Sequence, residues 1–221
     1  YTTDPDNPNT GEVWYNDTAN TLKFQYVNTG SAWSTGGNLN TARKMLAGAG
    51  TYTAGLAFGG QVPPGTAETA VTESYNGSNW TEVNDLNTAR QRLTGFGASN
   101  TAALAVGGLV DPGTRNETEL WNGSNWTEVN NLQAARQFMG SNGTTTSGLV
   151  YGGEPASTVV NSTESWNGTN WTEVNNLNTA RFRNSGFGAD NTAAVCFGGS
   201  TGPAVTANTE LWNGTNWTEV N

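Results

Sequence analysis

The chain has 221 residues, a net charge of −9 and only Lys23 and Lys44 as lysines, so its surface repels phosphate backbones and anionic membranes. No apolar run approaches the roughly 18 residues of a membrane span, so neither a nucleic-acid partner nor membrane insertion is expected. Histidine is absent, which removes the commonest general base and metal ligand.

Residues 1–10 form a polar Asp/Asn/Pro/Gly leader that begins at Tyr1 without a signal-peptide pattern, and the chain reads as a segment or processed form of something longer. Asp4, Asp6 and Asn7 carry oxygen ligands of the kind calcium takes, but a solvated leader is the preferred reading. No metal and no cofactor is expected. Residues 11–37 hold three apolar-alternating stretches: Gly11–Asn16, Asn20–Phe24 and Ala32–Thr35.

From there the chain repeats itself four times, over residues 38–84, 85–130, 131–175 and 176–221. Asn-Thr-Ala-Arg around Arg43 returns around Arg90 and Arg181, and as Gln-Ala-Ala-Arg around Arg136. A Gly-Gly pair after an apolar run (Gly59, Gly107, Gly152, Gly198) and a Trp in Asn-Trp-Thr-Glu-Val (Trp80, Trp126, Trp171, Trp217) keep the same spacing. A period in the middle forties, made of short apolar runs and Asn-Gly turns, is the length of one four-stranded propeller blade.

In the second repeat the strands expected are Leu93–Gly97, Thr101–Val106, Thr118–Trp121 and Asn125–Val129. Leu109–Glu117 reads as a loop, and Asn122-Gly123 as a type I′ hairpin turn, in which both central residues take positive φ. The second strand is apolar on both faces, as befits a strand between neighbouring sheets. Glycine recurs five residues past the repeat arginine (Gly48, Gly95, Gly186, with Ser141 breaking the series) and seven past it (Gly50, Gly97, Gly143, Gly188). This places the first strand innermost, where small residues let blades crowd an axis. Cys196 takes the place of Ala57, Ala105 and Val150 and reads as a buried small residue.

Leu-x-x-Ala-Arg, the apolar strand ending in Gly-Gly, Thr-Glu-x-Trp/Tyr-Asn and the Trp five residues on together resemble the kelch repeat over about residues 38–221. The resemblance implies an all-β fold, a β-propeller of four-stranded kelch-like blades, with the aromatics packed between blades. Kelch propellers commonly have six or seven blades; four repeats depart from that, and residues 11–37 are read as a three-stranded partial blade that makes a fifth. Gly11-Glu12-Val13-Trp14-Tyr15-Asn16 and the following hairpin resemble a hairpin of bacteriophage tail-fibre and virion proteins. The combination resembles kelch-like appendage proteins of marine bacteriophages, which implies an extracellular, virion-borne chain.

Each repeat carries one arginine and two regular carboxylates, Glu73, Glu119, Glu164 and Glu210 on the third strand and Glu82, Glu128, Glu173 and Glu219 on the fourth. Charges that recur with the fold read as structural. Positions where the repeats disagree carry more information. Gln61–Val71, Leu109–Glu117, Glu154–Ser162 and Ser200–Asn208 share almost nothing, and the residues after each arginine differ too. Both sets emerge on one face of an up-and-down blade, where a repeated scaffold writes recognition; drift in tolerant loops is the other reading. The candidate ligand-binding residues are Lys44, Gln91, Arg92, Gln137, Phe138, Phe182 and Arg183. Phe138 or Phe182 would stack on a planar sugar face, and Arg92 and Arg183 would hold carboxylate or sulfate.

The expected function is non-enzymatic binding to a host-surface glycan or protein, with other virion subunits as further partners. A structural spacer that mediates virion assembly and an extracellular carbohydrate-active enzyme are the alternatives. For the enzyme, nothing singles out two of the eighteen carboxylates.

Overall fold

The computed structural model describes residues 13–24 and 36–220. The chain divides into two compact units, residues 1–35 and 36–221. In the first, β1 (Val13–Asn16) and β2 (Thr21–Phe24) form an antiparallel hairpin. Asn16 braces its turn by accepting the Ala19 N–H at 2.7 Å. The expected third strand, Ala32–Thr35, and the leader residues Asp4, Asp6 and Asn7 lie outside the described residues.

The second unit is four antiparallel four-stranded sheets in succession, and none of the described residues is helical. The first sheet is β3 (Ala47–Thr51), β4 (Ala54–Phe58), β5 (Thr72–Tyr75) and β6 (Trp80–Val83). The second is β7 (Thr94–Ser99), β8 (Ala102–Val110), β9 (Gly113–Trp121) and β10 (Trp126–Val129). The third is β11 (Gly140–Thr144), β12 (Ser147–Tyr151), β13 (Thr163–Trp166) and β14 (Trp171–Val174). The fourth is β15 (Ser185–Asp190), β16 (Ala193–Phe197), β17 (Thr209–Trp212) and β18 (Trp217–Val220). Strand order within each sheet follows the chain, and the first strands β3, β7, β11 and β15 neighbour one another in turn. This is a propeller-like arrangement with the first strand of each blade on the inside.

Two expectations are corrected. Leu109–Glu117 is not a loop: β8 and β9 run on as a hairpin to Val110 and Gly113, turning at Asp111-Pro112. Alternation through Leu109 and Thr114 lets the ladder continue beyond the glycine pair that ends the other second strands. The Asn-Gly turns are not type I′. In the second sheet the two-residue loop is Gly123-Ser124, with positive φ at Gly123 (93°) and not at Asn122. Asn122 precedes the loop and its Oδ1 accepts the N–H groups of Ser124 and Asn125, both at 2.9 Å. Glycine at the first central position suits a II′-like turn. The same Asn cap recurs at Asn76, Asn167 and Asn213.

Packing between sheets explains the residue patterns. Along β8, Ala103 and Ala105 face the first sheet with Phe58 and Trp126, whereas Leu104 and Val106 face the third with Trp171. The Phe58 and Trp126 rings meet edge-on at 4.9 Å, and Tyr151 and Trp217 at 5.0 Å. The fourth-strand tryptophan of the second, third and fourth sheets also crosses to the preceding sheet through its indole N–H: Trp126 to Thr72 at 3.0 Å, Trp171 to Thr118 at 3.0 Å and Trp217 to Thr163 at 3.1 Å. Glycine five past the arginine makes room for the preceding sheet's aromatic: a Cβ on Gly95 would enter the Phe58 ring. Glycine seven past it answers a different need, because a Cβ on Gly97 would strike the Ala102 carbonyl within its own sheet.

Among the described residues of the second unit, the first and last sheets each present apolar side chains on an outer face. On the last sheet Phe187 is 62% exposed, while its counterpart Phe96 is 5% exposed under Trp171. Trp80 of the first sheet is half-buried and flanks an apolar groove with Leu46, Leu56 and Tyr75. Cys196 is fully buried against Trp217, and burial pushes its thiol up to about 11.

The repeat arginines are structural ties within each blade. Arg43, Arg90, Arg136 and Arg181 pair with the third-strand carboxylates Glu73, Glu119, Glu164 and Glu210 at 2.5, 3.2, 2.6 and 2.5 Å. Both partners are buried in every case. The second carboxylate oxygen takes the entering backbone, as Asn40 N–H to Glu73 at 2.6 Å and Asn178 N–H to Glu210 at 2.7 Å. The arginines also cap carbonyls left free by the second strand, Ala57 from Arg43 and Gly152 from Arg136. The fourth-strand glutamates Glu82, Glu128, Glu173 and Glu219 are exposed.

Two outcomes follow from this packing. Trp126→Ala removes a buried ring and an inter-sheet hydrogen bond and lowers stability by about 3–5 kcal/mol; Trp80→Ala at the open face costs distinctly less in the same denaturant titration. For Glu73, burial opposes ionisation, but the Asn40 N–H and then the Arg43 guanidinium outweigh it and hold the pKa below its ordinary 4.5. A depressed folded-state pKa contributes stability that is complete above 4.5 and is lost as pH falls through the folded value. Chemical denaturation as a function of pH therefore shows stability dropping on the acid side of 4.5, with a shallower slope in Glu73→Gln.

Candidate functional site

The four residues two past each repeat arginine are Met45, Arg92, Phe138 and Arg183, and all have left-handed backbone, with φ of 58°, 56°, 56° and 54°. For bulky side chains such a conformation costs of order 1–3 kcal/mol each and persists only where neighbours hold it. Here the hold is a chain of backbone hydrogen bonds from sheet to sheet. Arg92 N–H donates to the Met45 carbonyl at 2.9 Å, Phe138 to Arg92 at 3.0 Å and Arg183 to Phe138 at 2.9 Å. Glycine is the least strained residue for this place, and a chain with 29 glycines puts none there. The four residues line a common cavity of about 200 Å³, together with Leu46, Leu93, Met139 and Asn184.

Around that cavity the aromatics support the arginines. The Arg92 and Arg183 guanidiniums lie over the Phe138 ring at 5.0 and 4.7 Å, and Arg183 also lies over Phe182 at 5.0 Å. The two phenylalanine rings are 6.1 Å apart. Stacking fixes a guanidinium by its face and leaves its N–H edge to hydrogen-bond. Among the described residues no carboxylate forms an ion pair with Arg92 or Arg183. The rings thus carry guanidiniums where the sequence reading had a sugar plane.

The residues one past each arginine root the variable loops. Lys44 bridges to Gln61, Gln91 to Leu109, Gln137 to Glu154 and Phe182 to Ser200. The variable loops and the axial positions consequently share one face. Lys44 is exposed there and Phe182 half-buried. Gln91 and Gln137 are buried, and their side chains are engaged with the protein itself. Gln91 donates to Glu68 at 3.0 Å; Gln137 accepts from Arg92 at 3.2 Å and approaches Glu154 at 3.4 Å. Both brace the loops, and Gln137 aims Arg92. Burial opposes ionisation of Glu68, but the Gln91 amide, backbone N–H groups and Arg92 hold its carboxyl below the ordinary range. Glu68 and Asn184 were not among the sequence candidates. Asn184 had a signal: it interrupts a column otherwise filled by Leu46, Leu93 and Met139.

Among the described residues no three His, Cys, Asp or Glu side chains stand where they could hold a metal ion. What the arrangement offers is anion recognition by two stacked guanidiniums at the centre of a variable face. The fold and this site define a repeated, propeller-like all-β protein with a cationic axial mouth. The chain matches no protein-family model and no curated protein sequence.

Proposed function

We propose that this chain is a non-enzymatic binding propeller of a virion appendage, which attaches to a host-surface glycan or protein through its variable loop face. The observation that carries the reading is the Arg92–Phe138–Arg183–Phe182 cluster. It occupies the positions where faithful repeats diverge, three of its four residues on backbone that disfavours side chains, and neither guanidinium forms an ion pair among the described residues. An anionic polysaccharide is the ligand class this chemistry suits, since carboxylates and sulfates match a guanidinium edge. The kelch resemblance and the phage-type hairpin supply the virion and extracellular setting.

Within this reading the propeller has five blades, residues 11–37 being the fifth. The open apolar faces of the first and last described sheets support a further blade. A spacer or assembly role is the competing reading, and the same exposed Phe187, Phe197 and Leu211 favour it.

Replacing Phe182 and Arg183 together by Ala leaves folding intact and cuts attachment to host cells or isolated envelope polysaccharide severalfold or more. Undiminished attachment moves the reading to the spacer. Deleting residues 1–37 uncovers an unpaired blade and yields aggregated protein by light scattering; a soluble, monomeric, cooperatively unfolding fragment 38–221 would overturn the five-blade arrangement.

A further inference from the structure

The mouth at the centre of the variable face is amphipathic. Around the axial ring, in the order set by the sheet-to-sheet hydrogen bonds, Met45 and Phe138 alternate with Arg92 and Arg183. Guanidiniums lie over the Phe138 ring, and Met45, 38% exposed, is the apolar side chain that this ring presents to solvent. The residue after each ring member lines the same cavity: Leu46, Leu93, Met139 and Asn184. In an extended strand consecutive side chains point to opposite faces; the left-handed residue breaks that alternation and lets both members of each pair reach one space. Three of these four floor residues are apolar. Asn184 directs its amide into the protein, Nδ2 donating to Cys196 Sγ at 3.2 Å and the enclosed Oδ1 lying beside Gly152. The chain has two methionines, and both line this cavity, where a flexible thioether adapts to an apolar guest.

The two cations differ in how free they are. Arg183 is exposed, and among the described residues its guanidinium has the Phe138 and Phe182 rings as neighbours and no hydrogen bond. Arg92 keeps one link to the protein, from Nη1 to Gln137 Oε1 at 3.2 Å, and its Nε is enclosed without a partner. Arg183 is therefore the principal anion donor and Arg92 the second. The cavity of about 200 Å³ lies below the roughly 300–1,000 Å³ that takes a whole small molecule, so it accommodates one group of a larger ligand. Water on an apolar floor finds few hydrogen-bond partners, and a methyl group displaces it favourably. A bare anion pressed onto the same floor loses water and gains nothing in exchange.

We infer, on the glycan reading above, that the mouth selects an acidic sugar that also carries a small acyl group, its carboxylate on Arg183 and Arg92 and its acyl methyl against Met45, Leu93 and Met139. An inorganic anion satisfies the arginines but leaves the apolar floor wet. A neutral acylated sugar covers the floor but leaves the guanidiniums without a counter-charge. An unsubstituted uronate lacks the apolar group. A sugar with both functions satisfies both halves of the ring at once.

The full chain is titrated by calorimetry and ligand-observed NMR. N-acetylmuramic acid and the methyl glycoside of N-acetylneuraminic acid carry both functions. Methyl glucuronide carries the acid alone, methyl N-acetylglucosaminide the acyl group alone, and inorganic sulfate only charge. At least one of the acylated acids binds about fourfold or more tighter than each of the other three probes, the gain expected of one buried methyl group. Its saturation transfer is strongest at the acyl methyl. Met45→Asn places a residue that tolerates left-handed backbone at an exposed position, so the fold is retained. It removes most of the fourfold margin and leaves the affinity for methyl glucuronide unchanged. Methyl glucuronide or sulfate bound as tightly as the acylated acids overturns the inference, as does a margin that survives Met45→Asn. If Arg92→Ala and Arg183→Ala abolish attachment to polysaccharide while no acylated acid is preferred or no probe binds, the acyl contact falls and the surface reading stands. If the arginine variants attach as well as the parent, both fall.

Discussion

The buried arginine–glutamate pair is the constraint on which each blade depends. The arginine sits on the connection that enters the first strand, the glutamate on the third strand, and the Arg136 guanidinium also reaches the Gly152 carbonyl just past the second strand and the Ser162 carbonyl just before the third. One side chain therefore ties the second and third strands to the chain that enters the first. Desolvating two charges is costly, and such a pair survives because the surrounding amides satisfy the remaining oxygens: Glu73 takes N–H groups from Asn40 and Thr41 besides Arg43. Losing either partner strands a charge in the interior, which is why the pair recurs in every repeat although the residues that follow the arginine do not.

The second requirement is reciprocal cover between sheets. A four-stranded antiparallel sheet with an apolar second strand has two faces to bury, and each internal sheet satisfies this by giving its aromatics to one neighbour and its tryptophan to the other. The contrast between Phe96, 5% exposed under the next sheet, and Phe187, 62% exposed on the last described sheet, measures what a neighbouring sheet means for chemically equivalent residues. The third-strand threonines add a directional element, since the indole of one sheet finds its acceptor only on the preceding one. Together these contacts set both the spacing and the hand-over from blade to blade.

Backbone strain recurs at the same place in every repeat, two residues past the arginine. The axial residues are held left-handed by hydrogen bonds that belong to the backbone, so the conformation is independent of which side chain is present. The scaffold thus offers a geometrically defined ring of positions whose side chains are free to vary, and here it carries methionine, arginine, phenylalanine and arginine. Cationic groups stacked on aromatic rings concentrate positive charge locally on a chain whose overall charge is −9. Buried Gln137 accepts from Arg92 and so couples its loop to the orientation of that guanidinium.

Much of this was legible in the sequence, because a repeat of constant period reports local needs several times over. The number and order of the repeated sheets, the apolar second strand, the burial of Cys196 and the structural nature of the arginines all follow from columns that agree. Columns that disagree located the axial neighbourhood. The tertiary structure decided what columns cannot encode. It chose the third-strand over the fourth-strand glutamates: the two stand opposite each other in register and share a face, but the fourth strand is the edge strand, one strand further from the arginine. It made Asn122 a side-chain cap beside a Gly123-Ser124 loop, since the hydrogen bonds available to an Asn depend on the ladder it closes. It laid guanidiniums on the Phe138 ring and brought Met45 and Met139 into one cavity. Those contacts join different repeats across the axis, and periodicity along the chain carries no record of which side chains from separate blades point at each other.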